Sequence, residues 1–485
     1  MQPQSVTSCH HKLSMNSVTG AWAPIRLSES QARGSSLLRD IIIYERSPAI
    51  TAQQFLLNQH LLSPLMTTAC VHHSISMIQP KSPLSIPAAS PLPQELIDII
   101  IDYLYNDAHS LRACALVATS WLGRSQQNLF SRITLAGKLL PHNSKGLTLA
   151  ELFSCLIESA PHIPTLVQHL VITESDAMLL RGRWLGRSIS ALNNMLPALT
   201  SLRTLHIDFS GTPWCDVPGI HTLFRSSFKL RDLRKVTISN FPRVPSWDRL
   251  FALFEGSNVT DICLVDVTTD DLVGDSWQIY VPESVRIPLE TVSLSLESNE
   301  LWRLSSWLAN PSCILQPYVL RKLCIDIMHS QEMNAFSRLL ETLHIPSLQT
   351  IEIRLEGLDS PEANHLPDVS RFRHVRLTLT PEVLQCKWEG WISIAVWCWE
   401  RLLKNFRENI IESVTLTLPA EVHPDKLPEA ERMYWIALDA ALTRADMTHL
   451  RRVYLEDESS QALGYRDGVI KDMFPNLYEK RLLVF

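Results

Sequence analysis

The sequence predicts an α/β chain: a three-helix module, then short strand–helix units stacked into an irregular solenoid with parallel strands inside and helices outside. Three observations point there. A triplet of apolar residues at i, i+3 and i+5 recurs between residues 147 and 485, the last two at strand spacing. Helix-like stretches fall between most of the triplets. Residues 92–135 carry a helical period instead.

A length of 485 residues allows one small module plus one elongated domain, and 46% hydrophobic against 19% charged residues supports a sizeable core. The net charge of −6 and the absence of Lys/Arg runs leave no electrostatic footprint for nucleic acid. Ten scattered cysteines without a C-x-x-C pair read as reduced thiols, not as a disulfide framework. Cys9-His10-His11 and Cys70-Val71-His72-His73 bring soft ligands together, but in aperiodic stretches, so no metal or other cofactor is expected. No run reaches the ~18–20 apolar residues needed to cross a bilayer. The best, 41–44 and 96–104, are short, and Asp98 and Asp102 interrupt the second. The first forty residues are Ser-rich and slightly basic without a transit peptide's amphipathic helix. A soluble protein of the cytoplasm or nucleus is the expectation.

Residues 1–90 are rich in Ser, Thr, Pro, Gln and His and end in Pro80-Lys81-Ser82-Pro83 and Ile86-Pro87-Ala88-Ala89-Ser90-Pro91. Prolines at this density remove backbone donors and fix φ, so a poorly structured extension is expected, with one short helix near 53–62.

Residues 91–135 read as the helical module. Pro93 suits a first helical position and Glu95 the first turn. Leu96, Ile100 and Leu104 share a face with Ile97 and Ile101 beside them, and Asp98, Asp102 and Tyr105 fall opposite. After a turn at 106–109, Ser110 is placed to cap a second helix carrying Leu111, Cys114, Ala115 and Ala118. Thr119 or Ser120 is placed to cap a third, with Trp121, Leu122, Ser125 and Leu129, before the strand-like Ile133-Thr134-Leu135.

Residues 147–485 form the repeat domain. The triplets are Val167/Leu170/Ile172, Leu202/Leu205/Ile207, Leu233/Val236/Ile238, Val259/Ile262/Leu264 and Leu289/Val292/Leu294. Leu320/Leu323/Ile325, Leu348/Ile351/Ile353, Phe372/Val375/Leu377, Ile411/Val414/Leu416 and Leu450/Val453/Leu455 continue them. Their middle positions lie from 24 residues apart (351 to 375) to 39 apart (375 to 414). Helical stretches are expected at 149–159, 184–196, 247–254, 301–308, 333–343, 391–406 and 429–442. One strand and one helix cannot bury an apolar face alone, so neighbouring units must stack.

Tests for chemistry are mostly negative. No G-x-G-x-x-G, H-E-x-x-H or G-x-S-x-G occurs. Gly182-Arg183-Trp184-Leu185-Gly186-Arg187-Ser188 echoes a phosphate loop with one spacer too few and Arg in place of Lys; a helix start is the plain reading. Asp270-Asp271 and Glu456-Asp457 are expected as solvated loop charges. Trp388, Trp391, Trp397 and Trp399 read as core packing more than as a ligand pocket or a partner hot spot. Nothing assembles an active site, and the chain is not expected to be an enzyme.

The run Leu92-Pro93-Gln94-Glu95-Leu96-Ile97-Asp98-Ile99-Ile100-Ile101-Asp102-Tyr103-Leu104 resembles the first half of an F-box. Leu111-Arg112-Ala113-Cys114-Ala115-Leu116-Val117-Ala118-Thr119-Ser120-Trp121 resembles the second half. The following Asn128-Leu129-Phe130-Ser131-Arg132-Ile133-Thr134-Leu135 is similar to the exit of fungal F-box proteins with degenerate repeats, and Phe474-Pro475-Asn476-Leu477 with Arg481-Leu482-Leu483 to their ending. The repeats themselves resemble an irregular leucine-rich-repeat array that lacks the usual asparagine or cysteine ladder and exceeds the usual ~20–29-residue period.

The resemblance implies docking on the Skp-family adaptor of a cullin–RING ubiquitin ligase, with the repeats presenting a protein substrate. It implies that Leu92, Pro93, Leu96, Ile97, Ile100, Leu111, Val117 and Trp121 divide between that interface and the module's core. Strand residues alternating with the inward ones would line the concave surface: His206/Asp208, Thr237/Ser239, Ser293/Ser295, Glu352/Arg354, Arg376/Thr378, Thr415/Thr417 and Tyr454/Glu456. Val171, Cys263, Val265 and Cys324 break its polarity. His206, Asp208, Glu352, Arg354, Arg376 and Tyr454 are the candidate substrate contacts. The competing readings are a stand-alone repeat scaffold without a ligase and an enzyme with its site on the helix–strand loops.

Overall fold

The computed structural model describes residues 50–51, 92–137, 148–174, 184–210, 212–217, 219–270, 289–309, 319–343, 345–355, 367–379, 391–404, 409–418, 429–457 and 471–484. The helix expected near 53–62 lies outside them, as do both Cys/His groups.

A two-residue strand β1 (Ile50–Thr51) is followed by three helices, α1 (Gln94–Tyr103), α2 (Ala108–Val117) and α3 (Thr119–Ser131). Helix α3 runs directly into β2 (Arg132–Ala136). Then come α4 (Leu149–Ser159), β3 (His169–Thr173), α5 (Trp184–Met195), β4 (Thr204–Asp208), α6 (Ile220–Ser227), β5 (Lys235–Val244), α7 (Trp247–Phe251), β6 (Asp261–Thr269) and β7 (Thr291–Ser295). The series ends with α8 (Ser298–Leu308), β8 (Lys322–Ile327), α9 (Ser330–Thr342), β9 (Thr350–Leu355), β10 (His374–Leu379), α10 (Trp391–Lys404), β11 (Ser413–Leu418), α11 (Glu429–Leu442), β12 (Arg452–Asp457), α12 (Pro475–Glu479) and β13 (Leu483–Val484).

Among the described residues the strands form one thirteen-stranded sheet, parallel throughout, whose order follows the chain. Parallel neighbours need a crossover, and each intervening segment supplies it. The middle residues of the triplets pair in one line: Leu170 with Leu205, then Val236, Ile262, Val292, Leu323, Ile351, Val375, Val414 and Val453. All of these are buried but Val292, which is half-buried against the core. Successive side chains on a strand point to opposite faces, so the triplets define the covered face and the polar alternates the outer one.

A second line of bonds takes the place of the missing asparagine ladder. The amide just after each triplet's first residue donates to the carbonyl at the same place in the preceding unit. Arg203 N thus reaches Gln168 O at 2.8 Å and Arg234 N reaches Arg203 O at 2.9 Å, and the series continues to Arg451 N on Glu412 O at 2.9 Å. Backbone supplies this ladder, so no side-chain signature in the sequence marks it.

Helix ends have local causes. Thr148 and Glu151 form a capping box at α4, Glu151 N donating to Thr148 Oγ1 at 3.3 Å and Thr148 N to Glu151 Oε2 at 2.6 Å. Ser246 caps α7. At α5, the Glu174 carboxylate accepts from the Trp184 and Leu185 amides, both at 2.8 Å. The first two amides of α5 are therefore taken, and the described part of the phosphate-loop echo, 184–188, is a helix start. Helix α6 was not anticipated, although Ile220, Leu223, Phe224 and Ser227 are buried at helical spacing. Trp399 is fully buried and meets Trp435 edge to face at 6.5 Å, which places it in the core; the side chains of Trp388, Trp391 and Trp397 lie outside the described residues.

Candidate functional site

Two surfaces stand out. The first is the helical module. Ile97 and Ile101 of α1 turn inward and join Leu111 of α2 and Leu129 of α3, continuous with the core under β2 and β3. The opposite side of α1 is also apolar: Leu96, Ile99, Ile100 and Tyr103 recur at i, i+3, i+4 and i+7 and are exposed, Leu96 by 47% and Tyr103 by 87%. Leu92, Leu122, and Leu116 and Val117 of α2 (65% and 66% exposed) are further exposed apolar residues of the module. Scattered exposed apolar residues are ordinary, but one helix with apolar stripes on two sides is a candidate interaction surface.

This arrangement corrects the sequence reading in several places. The inward stripe of α1 is Ile97/Ile101, with Leu104 partly buried beside it, and not Leu96/Ile100/Leu104. Of the eight residues expected to divide between adaptor interface and core, Ile97 and Leu111 are 6% and 1% exposed and belong to the core. Trp121 packs partly against that core, whereas Leu92, Pro93, Leu96, Ile100 and Val117 face outward. Ile99, Tyr103, Leu116 and Leu122 were missed; a second apolar stripe at helical spacing was the available signal. Asp102, on the polar side of α1, accepts from Arg124 Nε at 2.6 Å and Asn128 Nδ2 at 3.0 Å, which ties α3 to α1. The hydrogen bond from Arg124 holds its carboxyl below the usual range. Asp107, not Ser110, caps α2, accepting from the His109 and Ser110 amides at 3.0 and 3.1 Å. No side chain caps α3, whose first turn follows Ala118.

The second surface is the outer sheet face. Toward β4 it holds His206, with Nε2 2.9 Å from Ser239 Oγ, and Asp208, which accepts from Ser210 N at 2.9 Å and Asn240 Nδ2 at 3.0 Å. Burial lowers the pKa of His206, keeping the ring neutral near pH 7. Both residues are half-buried and locally bonded.

From β8 to β12 the outer face becomes an ionic strip. Glu352 is buried and takes Lys322 Nζ at 2.8 Å and Arg354 Nε at 2.9 Å. Burial alone would raise its pKa, but the hydrogen bond from Lys322 and the charge of Arg354 hold it down to about 2. Asp326 lies 3.5 Å from Arg354 and is pushed up to about 6 by burial, against the pull of that arginine. Cys324, 3.5 Å from Glu352, is raised to about 11 by burial and by that carboxylate, so it stays a thiol. Glu352 is thus an internal partner, contrary to its place among the substrate contacts. Arg354, Arg376 and Tyr454 remain partly exposed, Arg376 bonded to Glu456 at 2.9 Å and Tyr454 Oη 3.3 Å from Arg452 Nη1. Glu456 is therefore not a loop charge. Thr378 and Thr417 on this strip are buried, and neither hydroxyl has a hydrogen-bond partner among the described residues. Leaving such a group unpaired costs about 1–3 kcal/mol.

Among the described residues no group of His, Cys, Asp and Glu is placed to hold a metal, and no helix is long and apolar enough to cross a membrane. A cavity of about 30 Å³ between the sheet and α8 and α9 is lined by aliphatic and aromatic side chains, among them Phe251, Leu304 and Leu339, and offers no polar group for chemistry. No family model matches the chain, and a search of curated proteins finds no match.

Proposed function

We propose that the chain is a non-enzymatic adaptor: α1–α3 act as an F-box that docks on a Skp-family subunit of a cullin–RING ubiquitin ligase, and the parallel repeat sheet holds a protein substrate. The observation that carries this reading is the outward apolar stripe of Leu96, Ile99, Ile100 and Tyr103, left uncovered while Ile97 and Ile101 fill the core. Burying a half-exposed Leu or Ile against a partner is worth on the order of 1 kcal/mol, so the stripe with Leu116 and Val117 suffices for a specific contact. An apolar helix face of this kind suits a groove on a second polypeptide. On this reading the chain performs no ubiquitin transfer itself. It raises the local concentration of a substrate beside a loaded conjugating enzyme.

The test is capture of a recombinant Skp-family subunit by the full chain. Capture should be lost in a Pro93→Ala, Leu96→Ala double variant whose circular dichroism is unchanged. Retained capture in that folded variant would falsify the docking claim. A chain that binds protein partners but recovers neither adaptor nor cullin would instead be a stand-alone scaffold.

A further inference from the structure

The sheet register sets Arg354 of β9, Thr378 of β10, Thr417 of β11 and Glu456 of β12 side by side on four neighbouring strands, with Arg376 two residues before Thr378. Arg376 Nη2 donates to Glu456 Oε2 at 2.9 Å. Arg376 pairs with Thr415 and Glu456 with Thr417, so the two bonded side chains together span β11, about 4.8 Å from each neighbouring strand. Thr378 and Thr417 lie along the crossing, 9% and 2% exposed, with hydroxyls that have no partner among the described residues. Buried hydroxyls are almost always bonded, so two adjacent exceptions on one strip call for an acceptor.

We propose that this strip binds a carboxylate side chain of an acidic polypeptide segment, which replaces Glu456 on Arg376 and accepts hydrogen bonds from Thr378 and Thr417. The proposal rests on the reading of the outer sheet face as the cargo surface. Glu456 is then an internal stand-in for the ligand. Arg376 and Glu456 are 29% and 24% exposed, so a competing carboxylate reaches the pair from solvent. The occupant in place is a planar, singly charged group that a guanidinium matches well, which favours Asp or Glu over a phosphoryl group.

Fluorescence anisotropy of the full chain tests this with three labelled peptides: alternating Glu-Gly, the matching Gln-Gly, and the matching phosphoserine-Gly. The Glu peptide should bind and the Gln peptide should not. Glu456→Ala should tighten binding of the Glu peptide several-fold, and Arg376→Gln should weaken it about tenfold, the usual effect of losing one charged hydrogen bond. A Thr378→Val, Thr417→Val double variant should bind more weakly without a lower melting temperature. Equal binding of the Gln peptide, preference for phosphoserine, an unchanged Glu456→Ala affinity, or wild-type binding by the double Val variant would each overturn the assignment. Adaptor capture is measured on the same variants. For the wild-type chain, no binding of the Glu peptide with capture intact fails this site alone, and the reverse fails only the docking role of α1–α3.

Discussion

Arg124 of α3 reaches back across 22 residues of chain to grip Asp102 of α1, its Nε donating to Oδ1 at 2.6 Å, with Asn128 donating to the same oxygen at 3.0 Å. This polar clamp sits beside the inward Ile97/Ile101 stripe and fixes the rotation of α1, so that Leu96, Ile99, Ile100 and Tyr103 stay outside. Both partners are about a third exposed or more, and exposed pairs of this kind are worth under about 1 kcal/mol. Asp102→Asn should therefore change the melting temperature little. Amide exchange within α1 should nevertheless quicken, as hydrogen-exchange mass spectrometry would show; exchange unchanged from wild type would refute the clamp.

Leu111 and Leu116 lie five residues apart on α2 but differ in surroundings, at 1% and 65% exposed. Leu111→Ala should destabilise the fold by about 2–5 kcal/mol through lost burial and the cavity left behind. Leu116→Ala should stay within about 0.5 kcal/mol yet, if the proposed docking role holds, reduce capture of the Skp-family subunit. Denaturant melts paired with the binding assay separate the two, and equal stability losses would contradict the assignment of the two faces.

Asp439 of α11 is fully buried and accepts from Asn476 N, Asn476 Nδ2 and Leu477 N at 2.9, 2.7 and 2.9 Å. It anchors the N-terminus of α12 and so the end of the sheet at β13. Asp439→Ala leaves those donors without an acceptor, at about 1–3 kcal/mol each if they stay buried. The expected outcome is faster tryptic cleavage at Lys480 and Arg481 than in the wild type. Resistance equal to that of the wild type would show that α12 is held by packing of Phe474 and Leu477 instead.

Burial raises the folded-state pKa of Asp326 to about 6 from its ordinary 3.8. Between those values the folded chain binds more protons than the unfolded one, so this group makes stability fall as pH rises and levels off above pH 6. Glu352, held near 2, contributes in the opposite sense: its stabilisation is present above about 4.5 and is lost as pH falls toward 2. Asp326→Asn removes only the first effect. Between pH 5 and 7.5 the variant should gain about 1 kcal/mol relative to wild type, seen as a widening gap in melting temperature. A gap that narrows over that range would reverse the argument.

The backbone ladder from Gln168 to Arg451 shows why the repeat was legible while its regularity was not. The i, i+3, i+5 triplets identify ten paired strands because a stacked unit must place apolar side chains at the same height each time. Helices such as Leu149–Ser159 and Glu429–Leu442 were readable for the same reason. The bonds that keep neighbouring units in step are amide to carbonyl, and any residue type supplies them.

Apolar period alone thus determined that the chain alternates strand and helix, that the strands pair in sequence order, and that a helical module precedes them. Tertiary packing decided the rest. It chose which of two apolar stripes on α1 faces the core: Ile97 and Ile101 join Leu111 and Leu129 there, leaving Leu96 and Ile100 to solvent. It also turned Glu352, Arg376 and Glu456 from separate charges into one strip. Ion pairs between strands up to 80 residues apart depend on register and on the local cost of burial. Neither quantity is written in any local stretch of sequence.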